Sequence, residues 1–235
     1  MEQEENILGK EKISMLVNSL YNIVDQIFIG QGVGYLGNGA TNVVFPLVII
    51  GLAFSLMFGD GASAYLSLKL GEKKKKEAEN GVGNGIMLSI IVSVIFCIVT
   101  LLFLPQFLKI FGCTENLKSY AMTYGTIIAI GFPFSMIGTT LNSIIRADGS
   151  PKYSMFSMIS GAVLNTILDP IFIFVLHKGV EGAAIATVIS QIVTFILNVI
   201  YIKRFKTIKI SKDCFKLQFN LSLIHISEPT RQAEI

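Results

Sequence analysis

The sequence has no tryptophan, few cysteines and few charged residues. Asp, Glu, Lys and Arg make up 15% of its 235 residues, whereas ordinary globular domains carry about a quarter. The three cysteines are scattered and imply no disulfide pair, which excludes a disulfide-stapled secreted domain. A hydrophobic content of 52% excludes a disordered chain, and a nucleic-acid-binding role is not expected either. These features indicate an integral membrane protein.

Motifs of common enzymes are also missing from the sequence. There is no Walker phosphate-binding loop, no Gly-x-Ser-x-Gly nucleophile elbow and no His-Glu-x-x-His zinc motif. No stretch of the sequence could form a soluble ATPase domain. We therefore predict a protein that is not an enzyme and holds no cofactor, so that any uphill transport must be driven by an ion gradient.

Six charge-poor windows are long enough to cross a bilayer, which takes about 20 apolar residues. With a cytoplasmic N-terminus, 15 Lys and Arg residues fall on the inner side and 3 on the outer side. The positive-inside rule then places both chain ends in the cytoplasm. We predict an all-α integral membrane fold in which residues 1–12 are a cytoplasmic N-terminal segment and residues 13–205 form a six-helix lobe. The six windows cover residues 13–34, 43–68, 82–104, 120–143, 153–176 and 183–202.

The end of the sequence divides into two parts. Residues 206–220 form a basic segment that we predict to be a cytoplasmic linker. Within residues 221–235, the letters Leu-Ser-Leu-Ile-His-Ile-Ser-Glu-Pro-Thr-Arg resemble a translated sequencing-library adaptor. We expect a non-native tail here and a natural protein that continues beyond Asn220. A native amphipathic terminus is the alternative.

Three acidic residues, Asp25, Asp60 and Asp169, fall within predicted spans. A carboxylate is costly at bilayer depth, so these residues are expected to face protein or water and are candidates for function. Polar side chains also share one face of the first helix and one face of the sixth. Such stripes predict a polar interior between helices, with interhelical hydrogen bonding as the structural alternative. The stripes comprise Ser14, Asn18, Tyr21, Asn22 and Asp25, and Thr187, Gln191, Thr194 and Asn198.

Residue counts place several of these polar groups at one depth. At about 1.5 Å per residue, four helices bring oxygen-bearing side chains to the same level in the outer half of the membrane. The set suits a small cation such as Na⁺. Alternatively, its two carboxylates share a proton because close like charges repel. The set consists of Asp25, Asn165, Asp169, Thr187 and Tyr124.

Two further positions carry structural expectations. Pro170 directly follows Asp169 and lacks a backbone N–H, so we expect it to kink the fifth helix beside the charged group. Asp60 lies between Gly59 and Gly61 on the inner side. It either lines the cytoplasmic end of a cavity or extends to the membrane surface, and the sequence favours neither.

Four sequence motifs, in this order and spacing, resemble the multidrug and toxic compound extrusion (MATE) family over roughly residues 10–205. The resemblance implies one lobe, the N-terminal half, of a twelve-helix transporter in a bacterial cytoplasmic membrane. Such a transporter exports small organic cations, including drugs, in exchange for H⁺ or Na⁺, and its C-terminal lobe is missing here. The motifs are Tyr-Asn-Ile-Val-Asp-Gln-Ile-Phe-Ile-Gly at 21–30, the segment 71–78, Arg-Ala-Asp-Gly-Ser-Pro-Lys at 146–152 and Asn-Thr-Ile-Leu-Asp-Pro-Ile-Phe-Ile at 165–173.

The resemblance also implies residue roles. It places a cation site at Asp25, Asn165, Asp169 and Thr187, with Tyr21 and Tyr124 around it. The other polar candidates, which are Asn18, Asn22, Gln191 and Asp60, are expected to line or support the cavity. Without its second lobe the chain is expected to be inactive. A lipid or lipid-linked-sugar flippase of the same superfamily, which should have a strongly cationic cavity, and a non-transporting membrane scaffold remain the alternatives.

Overall fold

The computed structural model describes residues 23–208 and residue 214, and the regular elements in this part of the chain are helices. Five of them are long and apolar enough to cross a membrane. The predicted first span, residues 13–34, is described only from residue 23 onward, the predicted linker at 206–220 lies largely outside the described residues, and the predicted tail at 221–235 lies wholly outside them. The helices are α1 (Ile23–Val33), α2 (Tyr35–Gly71), α3 (Lys75–Ile110), α4 (Glu115–Ala147), α5 (Pro151–Pro170) and α6 (Gly179–Ile202).

The connection between α1 and α2 is shorter than the sequence windows suggest. Residues 35–42 were expected to link two spans, but α2 already begins at Tyr35, and Gly34 alone makes the turn with a φ of 82°. Such a φ is readily adopted only by glycine. The polar side chains of residues 35–42 belong to the first turns of α2. One face of these helical turns packs on α1, where Thr41 Oγ1 donates to Gln26 Oε1 at 3.2 Å.

Helix α4 lies at the centre of the bundle and packs against α2, α3, α5 and α6. Its buried apolar side chains form one core with α2, α3 and α6, and a second core with α2, α3 and residue Ile208. Other large apolar side chains lie on the outer surface of the bundle, for example that of Leu102, which is 67% exposed. An apolar outer surface around an apolar core fits a chain that lies in lipid.

Successive helices run in opposite directions, so their connections collect at two ends of the bundle. We call them the Gly34 end, which holds the α1–α2, α3–α4 and α5–α6 connections, and the Asp148 end, which holds the α2–α3 and α4–α5 connections and the residues after α6. The Lys and Arg residues among those described concentrate at the Asp148 end, in the order Lys69, Lys73, Lys74, Lys75, Lys76, Arg146, Lys152, Lys203, Arg204 and Lys206.

Hydroxyl groups join the central helix α4 to α2 and α3. Thr140 Oγ1 of α4 donates to the carbonyl of Ser55 in α2 at 3.1 Å and lies 2.9 Å from Ser89 Oγ of α3. All three residues are buried. Gly59 allows this close approach, because a Cβ at this position would lie 3.0 Å from the Cα of Thr140. Small residues and shared hydroxyls are the usual means by which membrane helices associate.

Candidate cation site

The polar cluster predicted in the outer half is assembled from three helices. Asp25 lies on α1, Asn165 and Asp169 lie one turn apart on α5, and Thr187 lies on α6. Asp25, Asn165 and Asp169 are 8%, 2% and 0% exposed, respectively. Carboxyl groups are almost never buried to this extent unless they have a partner, so the surroundings of each oxygen decide what the cluster does.

Hydrogen bonds connect three of the four side chains, and Asp25 lies beside them. Asn165 Nδ2 donates to Asp169 Oδ1 at 3.1 Å and lies 3.5 Å from Thr187 Oγ1. Asp25 adjoins this group, since its carboxyl group and that of Asp169 influence each other electrostatically. The structure therefore brings together the four residues expected to form the cation site.

Three oxygens of this cluster have no hydrogen-bond donor among the described residues. They are Oδ1 of Asp25, Oδ2 of Asp169 and the amide oxygen of Asn165, and all three are buried. Two adjacent carboxyl groups cannot bond to each other without a proton, and two carboxylates repel. A proton or a cation between Asp25 and Asp169 would relieve this repulsion.

The helix geometry changes directly after the acidic pair. Pro170 ends α5, and residues Ile171–Val175 form a π-helical turn in which the N–H of Leu176 bonds to the carbonyl of Ile171 at 2.9 Å. Proline has no N–H to donate to the carbonyl of Thr166, so the regular bonding pattern is already interrupted where the π-helical turn begins. Wider turns of this kind occur frequently at functional sites.

Apolar packing fixes the π-helical turn against its neighbours. Ile173 forms a buried cluster with Ile29 of α1 and Ala183 of α6, and Phe174 packs edge-on against Phe28 at 6.2 Å between ring centroids. A Cβ on Gly182 would lie 2.8 Å from the carbonyl oxygen of Phe172, so α6 can approach this turn only with glycine there. A rearrangement of the apolar cluster of Ile29, Ile173 and Ala183 would therefore affect α1, the π-helical turn after α5, and α6 together.

The donor set fits a small hard cation. Carboxylate, amide and hydroxyl oxygens are the ligands that such ions prefer. No group of three or more His, Cys, Asp or Glu side chains that could hold a metal occurs among the described residues, so a transition-metal site is not indicated there. The unpartnered oxygens of Asp25, Asn165 and Asp169, together with the Thr187 hydroxyl, would be the ligands of Na⁺.

Three of the remaining candidate residues can be located among the described residues. Tyr124 is buried in the apolar core around α4. Gln191 faces α4, where its Oε1 would lie 3.1 Å from a Cβ on Gly131. Asp60 is at the surface, with its side chain 58% exposed and 3.8 Å from Arg146. The first-helix residues Asn18, Tyr21 and Asn22 fall outside the described residues.

The polar stripe on α6 has two different parts. Thr187 reaches the acidic cluster, but Asn198 Nδ2 donates to the carbonyl of Gly138 in α4 at 2.9 Å. Thr194 Oγ1 bonds to the carbonyl of Ser190 in its own helix at 3.0 Å and approaches that of Ser157 in α5 at 3.5 Å. The end of the stripe nearer the Asp148 end therefore joins helices, which is the structural alternative named above, whereas Thr187 contacts the acidic cluster.

An open groove beside α1 was not anticipated from the sequence. It has a volume of about 500 Å³ and is lined by apolar and amide side chains without a charged group. Asp25 does not line it, since this residue is turned to the inside. Gln26 and Asn38 are the signal that could have revealed it, because amides within an apolar segment require a polar neighbour or solvent. The groove is lined by Ile23, Gln26, Ile27, Gly30, Gln31 and Asn38.

Comparisons with known proteins identify relatives of about twice the length. The chain is 31% identical over 196 residues to the multidrug export protein MepA of Staphylococcus haemolyticus, covering 82% of this chain and 43% of that protein. The probable multidrug resistance protein YoeA of Bacillus subtilis is 25% identical over 198 residues, covering 83% and 43%. The chain thus spans less than half the length of these curated relatives.

Solved structures with a similar fold are transporters of which this chain matches about half. The outward-facing conformation of a multidrug resistance MATE family transporter of the MOP superfamily matches with a TM-score of 0.85 at 28% identity, covering 91% of this chain and 48% of that one. A MOP superfamily transporter from Pyrococcus furiosus, described as having a binding pocket of reverse polarity that suggests a different function, also matches with a TM-score of 0.85, at 27% identity, and covers 94% and 50%. The MatE family model matches residues 12–171, which is more than half of the sequence, and the chain therefore belongs to the MatE family.

Proposed function

We propose that this chain is the N-terminal lobe of a secondary multidrug exporter, which moves organic cations out of the cell in exchange for H⁺ or Na⁺. The observation that carries the proposal is the neighbouring, buried position of Asp25 and Asp169, whose carboxyl groups each have an oxygen without a donor among the described residues. A pair of this kind must gain a positive ion or rearrange. Both responses are what an ion-coupled transporter needs.

Binding of one cation neutralises the Asp25–Asp169 pair and thereby changes the arrangement of the helices that carry it. With the site empty, repulsion between the two carboxylates favours separation of α1 from α5. A bound H⁺ or Na⁺ removes the repulsion and favours the packed arrangement in which Ile29, Ile173 and Ala183 are in contact. Exchange follows if the ion and the organic cation prefer different arrangements of these helices, since each then shifts the population away from the other.

The membrane setting supports the same function. Five helices of the described chain are able to span a bilayer, and the positive-inside rule assigns the basic Asp148 end to the cytoplasm. The lobe would thus lie in the bacterial cytoplasmic membrane with its N-terminus inside and its acidic pair in the outer half. Because the relatives are about twice as long, transport by the complete protein requires a second lobe, and the present chain alone is expected to be inactive.

The alternatives receive less support from the site. A flippase for a lipid or lipid-linked sugar should bring positive charge to membrane depth, whereas the cluster described here is acidic and amide-rich. A non-transporting scaffold would gain nothing from two buried carboxyl groups placed against each other, because unpaired buried charges destabilise a fold.

Transport by the full-length protein tests the role of the pair. Ethidium efflux from cells or proteoliposomes should fall to background in Asp25→Asn and in Asp169→Asn. Glu115→Gln is the matched control, because Glu115 lies at the start of α4 with its side chain 87% exposed. Unchanged efflux in both Asp variants would refute the carboxylate role.

The identity of the coupling ion needs a separate measurement. Replacing Na⁺ by choline at constant pH should abolish efflux if Na⁺ is the ion, and should leave it intact if the protein exchanges H⁺. Loss of efflux only upon collapse of the pH gradient would identify H⁺. Efflux that is independent of both gradients would contradict antiport altogether.

A further inference from the structure

A second buried carboxylate lies at the opposite end of the bundle from the cation site. Asp148 occupies the α4–α5 turn and is 1% exposed. Its N–H caps α4 by bonding to the carbonyl of Ile144 at 2.9 Å, and Gly149, with a φ of 79°, reverses the chain directly after it. This turn directs the Asp148 side chain toward the residues that follow α6.

Four groups donate hydrogen bonds to the Asp148 carboxylate. The backbone N–H groups of Lys206 and Thr207 donate at 2.8 and 2.9 Å. The hydroxyls of Thr207 and Tyr201 donate at 2.5 and 2.9 Å. Bonds from two successive backbone N–H groups fix the register of the bound segment, because a shift by one residue would break both. Hydrogen bonds to a charged acceptor are about twice as strong as neutral ones.

The segment held in this way continues into the core of the lobe. Ile208 is 1% exposed and packs with Leu66 of α2, Val82 of α3 and Ile144 of α4. Cys214 is also buried, at 5% exposure, and its backbone lies so close to Gly83 of α3 that a Cβ there would collide with it. Two separate parts of the chain beyond α6 are thus docked on the same end of the bundle.

We propose that Asp148 is a positioning residue that holds residues 206–208 across the Asp148 end of the lobe. We call residues 206–208 the strap. The proposal extends the lobe to residues 206–208, which the sequence analysis assigns to a basic linker. The strap joins the α4–α5 turn and the end of α6 to the ends of α2 and α3. This inference does not depend on the transport function.

The native cysteines make the strap measurable in the 235-residue chain in detergent micelles. Maleimide labelling of each cysteine is followed by peptide mass spectrometry. In Asp148→Asn we expect labelling of Cys214 to accelerate at least about tenfold, because loss of one charge-assisted hydrogen bond already corresponds to such a factor. Thr207→Val, which removes one of the four donors, should give a smaller acceleration. Labelling of the half-buried Cys97 and Cys113 should not change.

Two comparisons separate the strap from a general loss of folding. Asp60→Asn removes an exposed acid at the same end of the bundle and should leave Cys214 as slow as in the parent chain. Gly83→Ala should expose Cys214 with the Asp148 bonds intact, since the added Cβ must displace the Cys214 backbone. Equal Cys214 labelling in the parent, Asp148→Asn and Thr207→Val would overturn the proposal. Parallel acceleration of all three cysteines in Thr207→Val would also overturn it.

Discussion

The hydroxyl contact at the centre of the bundle predicts a specific stability effect of Thr140→Val. Valine keeps the shape of threonine but removes the hydroxyl that joins α4 to the Ser55 carbonyl at 3.1 Å and to Ser89 Oγ at 2.9 Å. Interhelical hydrogen bonds in membrane proteins average about 0.6 kcal/mol each, and buried bonds in soluble proteins about 1 kcal/mol. Loss of two bonds, with Ser89 left buried, should lower the free energy of unfolding by about 1–3 kcal/mol.

The neighbouring residue supplies a matched control. Among the described residues, Thr139 bonds within its own helix α4, to the carbonyl of Ser135 at 2.9 Å, and it is half-buried. Thr139→Val should therefore cost less than about 0.5 kcal/mol, as an ordinary substitution away from a helix contact does. Both variants are compared by equilibrium unfolding in SDS of the 235-residue chain in mixed micelles. If Thr140→Val were no more destabilising than Thr139→Val, the three-helix contact would not contribute as the structure indicates.

Three further predictions concern other parts of the lobe. Asp60→Asn should change the free energy of unfolding by less than about 0.5 kcal/mol in the same assay, because exposed ion pairs contribute little; a loss above 2 kcal/mol would contradict the exposed position. Gly182→Ala should destabilise the chain by about 1–3 kcal/mol through its collision with the Phe172 carbonyl, whereas Gly71→Ala, with open space around it, should have no such cost. Pro170→Ala should permit a regular helix and reduce ethidium efflux by the full-length protein without loss of stability; full efflux would exclude a functional role for the π-helical turn.

The spans and the acidic cluster were predictable from the sequence for physical reasons. Long charge-poor runs have few structural solutions in a bilayer, so each predicted window among the described residues was expected to contain a helix, and the structure has one there. Acids at membrane depth must find partners, and counting residues along alternating helices placed Asp25 and Asp169 at one level. An irregularity near Pro170 was predictable because proline lacks a backbone N–H, but the π-helical turn that follows it was not.

Other features depend on contacts between residues distant in sequence. Asn198 and Thr187 occur in one polar stripe, yet only the neighbouring helix decides that Asn198 bonds to Gly138 and Thr187 to Asn165. The one-residue connection at Gly34 was missed because Asn38 and Thr41 look like loop residues until their packing on α1 is known. The Asp148 carboxylate was visible only as part of a motif, since its donors lie 53 to 59 residues later.

Cation-dependent stability of the lobe tests the central claim most directly. Any ligand that binds only the folded state raises its stability, by about 2.7 kcal/mol at 100 times Kd, which corresponds to about 5 °C or more in Tm for a chain of this size. The measurement is Tm of the 235-residue chain against Na⁺ at constant pH, and against pH without Na⁺. We predict that one of the two cations raises Tm of the parent chain, and that Asp25→Asn, Asp169→Asn and the double variant lose this response equally. An undiminished response in the variants, or none to either cation in the parent chain, would contradict a shared cation site.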